Sequence, residues 1–142
     1  MELTYLLDTN VLIMLLRHRA EALRPRLRAA GGRLAVSTIS VAELEHGVAR
    51  STVPEHDGAR MESLLSLVEV LPFDRSAAHH AGRIDAQLAR LGTPIEPYDV
   101  LIAGQARSRG LIVVTNNIRE FSRVPGLECE DWSAPEEPKS DQ

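Results

Sequence analysis

The sequence predicts an α/β fold, a single domain with a central parallel sheet flanked by helices. A chain of 142 residues, of which 44% are hydrophobic, is long enough to bury one core. Short apolar runs alternate along it with longer stretches that have helical spacing, which is the pattern of a parallel sheet covered on both faces. The charged fraction of 25% is ordinary for a globular protein.

Short apolar runs predict the strands. They are residues 4–7, 34–37, 68–71, 111–115 and, more weakly, 127–130. Each run is short enough for a strand and too short for an average helix. The first ends at a carboxylate, Asp8.

A helix is predicted directly after Asp8, and four further helices are predicted between or after the later strands. These four cover about residues 41–48, 61–68, 74–91 and 99–110. Ser40, Asp74 and Asp99 stand at three of the helix starts and are residue types favoured at the N-cap. Gly92 and Gly110 stand at two of the helix ends, where glycine is common.

Charge is unevenly distributed, although the net charge of −4 argues against a domain that coats nucleic acid nonspecifically. The acidic residues are concentrated near the C-terminus and arginines near the N-terminus. The arginines are Arg17, Arg19, Arg24, Arg26, Arg28 and Arg33. Such a cluster suits phosphate recognition, because guanidinium pairs with phosphate bidentately. The alternative is a solvated helix face.

Cysteine content and hydropathy bear on location. Cys129 is the single cysteine, so no internal disulfide forms, which fits a reducing compartment. No signal peptide is visible, and the apolar stretch Val11–Leu16 is too short to cross a bilayer. A cytoplasmic protein without a membrane partner is therefore expected.

Three carboxylates occupy positions typical of a site. Asp8 ends the first predicted strand, Glu43 lies early in the helix after the second, and Asp99 begins the helix before the fourth. Ligands of α/β sheets bind at the carboxyl ends of the strands. The alternative for Asp8, and for Asn10 close to it, is helix capping.

The repulsion between carboxylates that lie close together must be compensated. Two unit charges ~4 Å apart repel by roughly 4 kcal/mol at an effective dielectric constant near 20. Either a proton is shared or a cation is bound, and oxygen ligands favour Mg²⁺ or Mn²⁺ over zinc. Cations held in this way support cleavage of phosphodiester bonds.

Several blocks of sequence carry a family resemblance. They are Leu7–Asn10, Ser37–Leu44 with Gly47, Gly92–Pro94, Pro97–Gly104, Val113–Phe121, Val124–Leu127 and Glu130–Trp132. With these blocks in order from Leu3 to Trp132, the chain resembles the VapC-type toxin ribonucleases, PIN-domain proteins of type II toxin–antitoxin systems. It is most similar to their enteric plasmid-type branch. The resemblance makes residues 1–132 a PIN domain. Residues 133–142, with two prolines and several charges, form an acidic tail that we expect to be disordered.

The resemblance implies roles for individual residues. Asp8, Glu43 and Asp99 would bind Mg²⁺ or Mn²⁺ and act in catalysis. Asn117 would join them, at a position where many PIN domains have a fourth acid; its amide oxygen carries no charge, which puts a second tightly bound metal in doubt. Residues that would orient ligands or substrate are Asn10, Thr115, Asn116 and Glu120. Residues that would contact RNA are Arg17, Arg24 and Arg28.

The resemblance also implies an activity and partners. The chain would be a metal-dependent endoribonuclease that cleaves a structured RNA, with the anticodon loop of initiator tRNA as the favoured target, and leaves a 5′-phosphate and a 3′-hydroxyl. A VapB-type antitoxin would inhibit it by inserting a C-terminal segment near the acids. The toxin would be a homodimer and would form a hetero-oligomer with the antitoxin.

Other functions have weaker support. A PIN-like module that binds RNA or serves as a scaffold without catalysis is the main alternative, and the intact acidic set argues against it. A DNA-directed nuclease would need a further domain or motif. Glu43 and His46 form one Glu-x-x-His pair where a di-iron bundle needs two. His79 and His80 are adjacent on a helix and point apart, which disfavours metal-free histidine chemistry.

Overall fold

The fold is built around a parallel sheet. The structure is a computed structural model that describes residues 2–18 and 20–133. The strands of this part of the chain are β1 (Tyr5–Leu7), β2 (Leu34–Ser37), β3 (Glu69–Leu71), β4 (Ile112–Val114) and β5 (Cys129–Glu130). Their order is β3-β2-β1-β4-β5, and every neighbouring pair is parallel. The predicted α/β class and all five predicted strands are confirmed, each within two residues at its ends.

Helices cover both faces of this sheet. They are α1 (Thr9–Leu16), α2 (Leu23–Ala30), α3 (Thr38–Ala49), α4 (Pro54–Leu65), α5 (Arg75–Arg90), α6 (Pro97–Arg109) and α7 (Ile118–Phe121), with a short 3-10 turn at Gly31–Arg33. Within the described residues, none of them combines the length and apolar character that crossing a bilayer requires.

Two of the predicted helix caps are wrong. Ser40 lies inside α3, which begins earlier because the side chain of Ser37 accepts a hydrogen bond from the backbone N–H of Ile39. Asp99 lies in the first turn of α6, whose N-cap is Glu96. In both cases an earlier oxygen-bearing side chain satisfies the free N–H groups of the first turn.

The predicted start of α5 and end of α6 are confirmed, whereas α4 (Pro54–Leu65) begins earlier than the predicted residue 61, because Pro54 stands in its first turn and favours a helix start there. The carboxylate of Asp74 accepts from the backbone N–H of Ala77 and caps α5. Gly110 ends α6 with φ 65°, a left-handed conformation that glycine adopts without a steric penalty.

The core has two halves, one on each side of the sheet. Leu6 and Val113 pack on the side of α5 and α6, whereas Leu7 and Val114 pack on the side of α1 and α4. Successive strand residues point to opposite faces, so these short strands are buried on both sides and read as continuous apolar runs.

The strand order places a topological switch point between β1 and β4. From β1 the chain proceeds to β2 and β3 on one side, and later returns to β4 and β5 on the other. Crevices at such points are the usual ligand sites of α/β sheets. Leu7 pairs with Val114, so the residues that follow them, Asp8 and Thr115, leave the sheet side by side.

Two sequence predictions fall outside the described residues. The acidic tail 133–142 is described only at Ser133, and Arg19 of the arginine cluster is not described.

Candidate active site

A polar cavity of about 370 Å³ opens at the carboxyl edge of the sheet, at the switch point. Its lining residues are Asp8, Thr9, Asn10, Glu43, Glu96, Asp99, Asn117 and Glu120. Five of the eight are carboxylates, and no basic side chain of the described residues lines it. The three acids predicted from the sequence therefore meet in one cavity.

Asp8 is buried and fixed by two hydrogen bonds. Its side chain is 1% exposed. One carboxylate oxygen accepts from the backbone N–H of Thr9 at 2.8 Å, and the other accepts from the hydroxyl of Thr115 at 2.9 Å. Asp8 is also the N-cap of α1. The two interpretations of this residue, as a helix cap and as a site carboxylate, are thus compatible.

Glu96 is an acid of this cavity that the sequence analysis missed. Its Oε2 accepts hydrogen bonds from the backbone N–H groups of Tyr98 at 3.1 Å and Asp99 at 3.3 Å. Capping α6 in this way orders the turn that carries Asp99. The signal was present in the sequence, because an acid directly before Pro97 is a typical start of a helix.

Asn117 and Glu120 form a hydrogen-bonded pair at the start of α7. Asn117 Nδ2 donates to Glu120 Oε2 at 2.9 Å. The backbone N–H of Asn117 donates to the Thr115 hydroxyl at 2.9 Å, and that hydroxyl in turn donates to Asp8. A continuous chain of hydrogen bonds therefore runs from the turn before α7 to the buried carboxylate.

Glu43 faces the cavity from the second turn of α3. Its helix is tied to α1 by a buried 2.8 Å hydrogen bond between the hydroxyls of Thr9 and Ser40. This contact sets the separation of the two helices that carry Asp8 and Glu43.

The electrostatics of the cavity favour protonated acids. Burial is the main cause that raises the pKa of Asp8 to about 6; Glu43 and Glu96 raise it further, against the hydrogen bonds from Thr115 and Thr9. Burial also raises the pKa of Asp99 to about 8, with contributions from a hydrogen bond to Glu120 and from the charges of Asp8, Glu120 and Glu96. The carboxylates are therefore close enough to repel one another.

The donor set fits a hard cation. It consists of carboxylate and amide oxygens, which Mg²⁺ and Mn²⁺ prefer. As placed in the described residues, however, no three of the His, Cys, Asp and Glu side chains are close enough together to enclose a metal ion. Mg²⁺ is commonly held by one or two carboxylates with several water molecules, so an open arrangement suits it.

Some of the other predicted site residues line the cavity, and others do not. Asn10 is exposed and lines the cavity, and Thr115 is buried behind Asp8. Asn116 is exposed and turned to the Met14 sulfur at 3.5 Å, so its side chain is not among those that line the cavity. Tyr98 is 49% exposed beside Asp99.

The arginine cluster does not form one surface. Arg17 lies in a cleft that Glu43 also lines, whereas Arg24 and Arg28 border clefts around α2. Arg26 and Arg33 turn to the opposite side, near Tyr5 and Trp132.

The histidines lie away from the cavity. His46 is exposed on α3, and His80 on α5 accepts a hydrogen bond from Arg107 at 3.1 Å. Neither they nor His79 lines the acidic cavity.

Comparison with known proteins agrees with this geometry. Residues 5–127 match the PIN domain family. The tRNA(fMet)-specific endonuclease VapC of Salmonella typhimurium is 48% identical over 92% of this chain and 98% of its own length. The tRNA(fMet)-specific endonuclease VapC of Shigella flexneri is 46% identical over 92% of this chain and 99% of its own length.

Solved structures show the same likeness. The DNA-bound VapBC complex of Salmonella typhimurium contains a chain with TM-score 0.89 and 48% identity, over 92% of this chain and 98% of that one. The structure of VapBC2 from Rickettsia felis, bound to a promoter fragment, contains a chain with TM-score 0.86 and 30% identity, over 93% of this chain and 99% of that one. The chain therefore belongs to the PIN-domain family and, within it, to the VapC toxin ribonucleases.

Proposed function

We propose that this chain is the toxin of a VapBC pair and cleaves initiator tRNA in its anticodon loop, with Mg²⁺ or Mn²⁺ held in the acidic cavity by Asp8, Asp99 and Glu43 together with water molecules. The observation that carries the proposal is the convergence of these three acids, with Glu96 and Glu120, on one cavity at the switch point of the sheet. The substrate is inferred from the relatives named as tRNA(fMet)-specific endonucleases.

The cation supplies two things when bound: it makes a water molecule more acidic and it stabilises negative charge at the phosphate. Without it, the raised pKa of Asp99 keeps a proton on that carboxyl at neutral pH. Because the ion competes with this proton, its affinity should rise as the pH rises through about 8.

The protein's own residues contribute orientation. Thr115 and the backbone of Thr9 fix both oxygens of Asp8, so its carboxylate does not reorganise when a ligand arrives. Glu96 orders the first turn of α6 and thereby positions Asp99. Asn117 holds Glu120, the carboxylate that hydrogen-bonds to Asp99.

Partners follow from the same relatives. Because VapBC complexes are among the structures that resemble this chain, we propose a VapB-type antitoxin as its inhibitor. An Arg or Lys from the antitoxin would pair with the cavity carboxylates in place of the cation. The toxin would act as a homodimer joined through helical surfaces, in the cytoplasm, where tRNA is present.

Cleavage of purified initiator tRNA tests the proposal. EDTA should abolish cleavage and Mg²⁺ or Mn²⁺ should restore it, with 5′-phosphate ends mapped to the anticodon loop. Asp99→Asn, which keeps the shape of the side chain, should be inactive. Chelator-resistant cleavage that leaves 2′,3′-cyclic phosphate would contradict the proposal. Tight RNA binding without turnover in any metal would favour the non-catalytic module instead.

A further inference from the structure

A second cleft, of about 310 Å³, lies where α1 ends against α4. Its polar lining is basic or neutral: His18, Arg24, His56, Arg60 and Ser63. No acidic side chain of the described residues lines it, in contrast to the active-site cavity. Of the described arginines singled out in the sequence only Arg24 lies here, and it is joined by His18, which is close to it in the chain, and by His56 and Arg60 of α4.

The guanidinium of Arg60 is held in place by His18. Arg60 Nη2 and His18 Nε2 are 3.0 Å apart, and since guanidinium only donates, the ring nitrogen accepts. His18 has φ 57°, a left-handed conformation that no other non-glycine residue of the described chain shows. Such a backbone is unfavourable for a histidine, and it places this ring on Arg60.

Arg24 is available to a ligand. It is exposed, and within the described residues its guanidinium makes no hydrogen bond or ion pair. The cleft thus holds two guanidinium groups, one oriented by a histidine and one with no partner among the described residues. Such a pair matches the geometry of a phosphate group, which accepts bidentate hydrogen bonds.

Shared lining residues link this cleft to the active site. A neighbouring cleft of about 450 Å³ shares Leu16, His18 and Arg60 with it, and adds Arg17 and Glu43. Glu43 in turn lines the acidic cavity. A strand whose scissile phosphate lies at the carboxylates can therefore run past Arg17 towards Arg60. The one further acid on this path is Asp57, which hydrogen-bonds with Ser51.

We propose that His18, Arg24, His56 and Arg60 form a phosphate-binding subsite that holds the RNA backbone several nucleotides from the scissile bond. The inference rests on the proposed ribonuclease function and assigns it a substrate contact. Arg24 and Arg60 bind the phosphate, and His18 is a positioning residue that orients Arg60. Arg28 borders only the neighbouring, mostly apolar cleft, which Arg24 also lines, and is therefore outside this subsite.

The test is RNA binding by charge-matched double variants. Arg24→Gln/Arg60→Gln removes both guanidinium groups of the cleft. Arg83→Gln/Arg90→Gln removes two exposed arginines of α5 and keeps the same net charge. The Kd for initiator tRNA is measured in EDTA, which prevents cleavage, over a range of salt concentrations. Melting curves and Mn²⁺ titrations show that each variant keeps its fold and its metal site.

We expect the cleft variant to bind RNA ~10-fold or more weakly, with the slope of log Kd against log salt reduced by about 1, because the one phosphate that both arginines hold is no longer neutralised. The α5 variant should retain wild-type affinity and slope. In cleavage assays the cleft variant should raise KM and leave kcat nearly unchanged. His18→Asn, which tolerates the left-handed backbone but cannot orient Arg60 in the same way, should show an intermediate loss.

Equal effects of the two double variants would overturn the proposal, because they would show a general charge effect. Unchanged RNA binding with weaker binding of the purified antitoxin would also overturn it and assign the cleft to a partner's carboxylate. The ribonuclease function is judged separately by the wild-type protein: wild-type cleavage with no effect of the cleft variant refutes only the subsite.

Discussion

The hydroxyl of Thr115 donates a 2.9 Å hydrogen bond to Oδ2 of Asp8, across the ends of β4 and β1. These residues are 107 positions apart in the chain and are brought together by the pairing of Leu7 with Val114. The bond stabilises the charged form of a carboxylate that burial would otherwise neutralise. The sheet register thus directly controls the protonation of a site residue.

Removing this hydroxyl should damage the site. Thr115→Val preserves shape but leaves an oxygen of a buried carboxylate without its donor, so we expect a loss of stability of about 1–3 kcal/mol. The pKa of Asp8 should rise above about 6 and Mn²⁺ affinity at neutral pH should fall. Urea denaturation and isothermal titration calorimetry measure these effects. Thr115→Ser is the control and should remain close to wild type in both.

The metal-free protein should lose stability as the pH rises. The folded-state pKa values of Asp8 and Asp99 are raised, to about 6 and about 8, from the ordinary 3.8. Their contribution to stability is therefore fully present below about pH 4 and is lost as the pH rises through the folded-state values. Thermal melts in EDTA between about pH 5 and about pH 8 should show a falling Tm over this window.

Asp99→Asn should flatten the upper part of this decline, because the amide resembles the protonated acid at every pH. The part of the decline that belongs to Asp99, towards pH 8, should disappear. Added Mn²⁺ should raise the Tm of the wild type more at high pH than at low pH and should stabilise the variant much less. A variant whose Tm follows the wild-type pH profile would show that Asp99 is not the titrating group.

Glu96 should influence the metal site through its charge, separately from its role as a cap. Glu96→Ser keeps a favoured N-cap and removes the charge, so Tm should be preserved while Mn²⁺ affinity falls. Glu96→Asp retains the N-cap and the charge, and it should therefore preserve both Tm and Mn²⁺ affinity. Glu96→Ala should lose ~1 kcal/mol of stability along with the charge. If Glu96→Ser binds Mn²⁺ like the wild type, the residue acts only as a cap.

Asn117 should act through Glu120. In Asn117→Ala the 2.9 Å hydrogen bond to Glu120 is lost, so that carboxylate is no longer oriented, and both cleavage rate and Mn²⁺ affinity should fall. In Asn117→Asp a second carboxylate faces Glu120, so Mn²⁺ should bind more tightly and with a steeper pH dependence. Asn117→Ala with intact activity and intact metal affinity would remove Asn117 from the site.

Gly104 should be indispensable for the packing of α5 on α6. A Cβ at this position would lie 2.5 Å from the backbone nitrogen of Ala81, so Gly104→Ala should cost about 1–3 kcal/mol or more. Gly82→Ala is a matched control, since its Cβ meets nothing within 4 Å, and it should stabilise the helix by roughly 0.5–1 kcal/mol. Denaturant unfolding distinguishes the two.

The sequence by itself determined the strands and the principal acids. Short apolar runs bounded by polar residues predicted all five strands of the described residues, and most clearly the central ones, which are buried on both faces. The same pattern placed Asp8 at a strand end, and Glu43 and Asp99 near helix starts, so their convergence could be expected from the rule that parallel strands end at one edge. The helix starts were not determined locally, because α3 has both Ser37 and Ser40 near its start and α6 has both Glu96 and Asp99, and each of these side chains can accept from a free backbone N–H group.

Only the tertiary structure decided what lies between these elements. The placement of β1 beside β4 brings Thr115 to Asp8, and the packing of α1 against α4 brings His18 to Arg60. Such contacts depend on strand order and on helix packing. Neither of these can be read from the local spacing of apolar residues in the sequence. The same packing separates the arginines that are close in sequence, because residues on different faces of α2 and on different helices turn to different clefts.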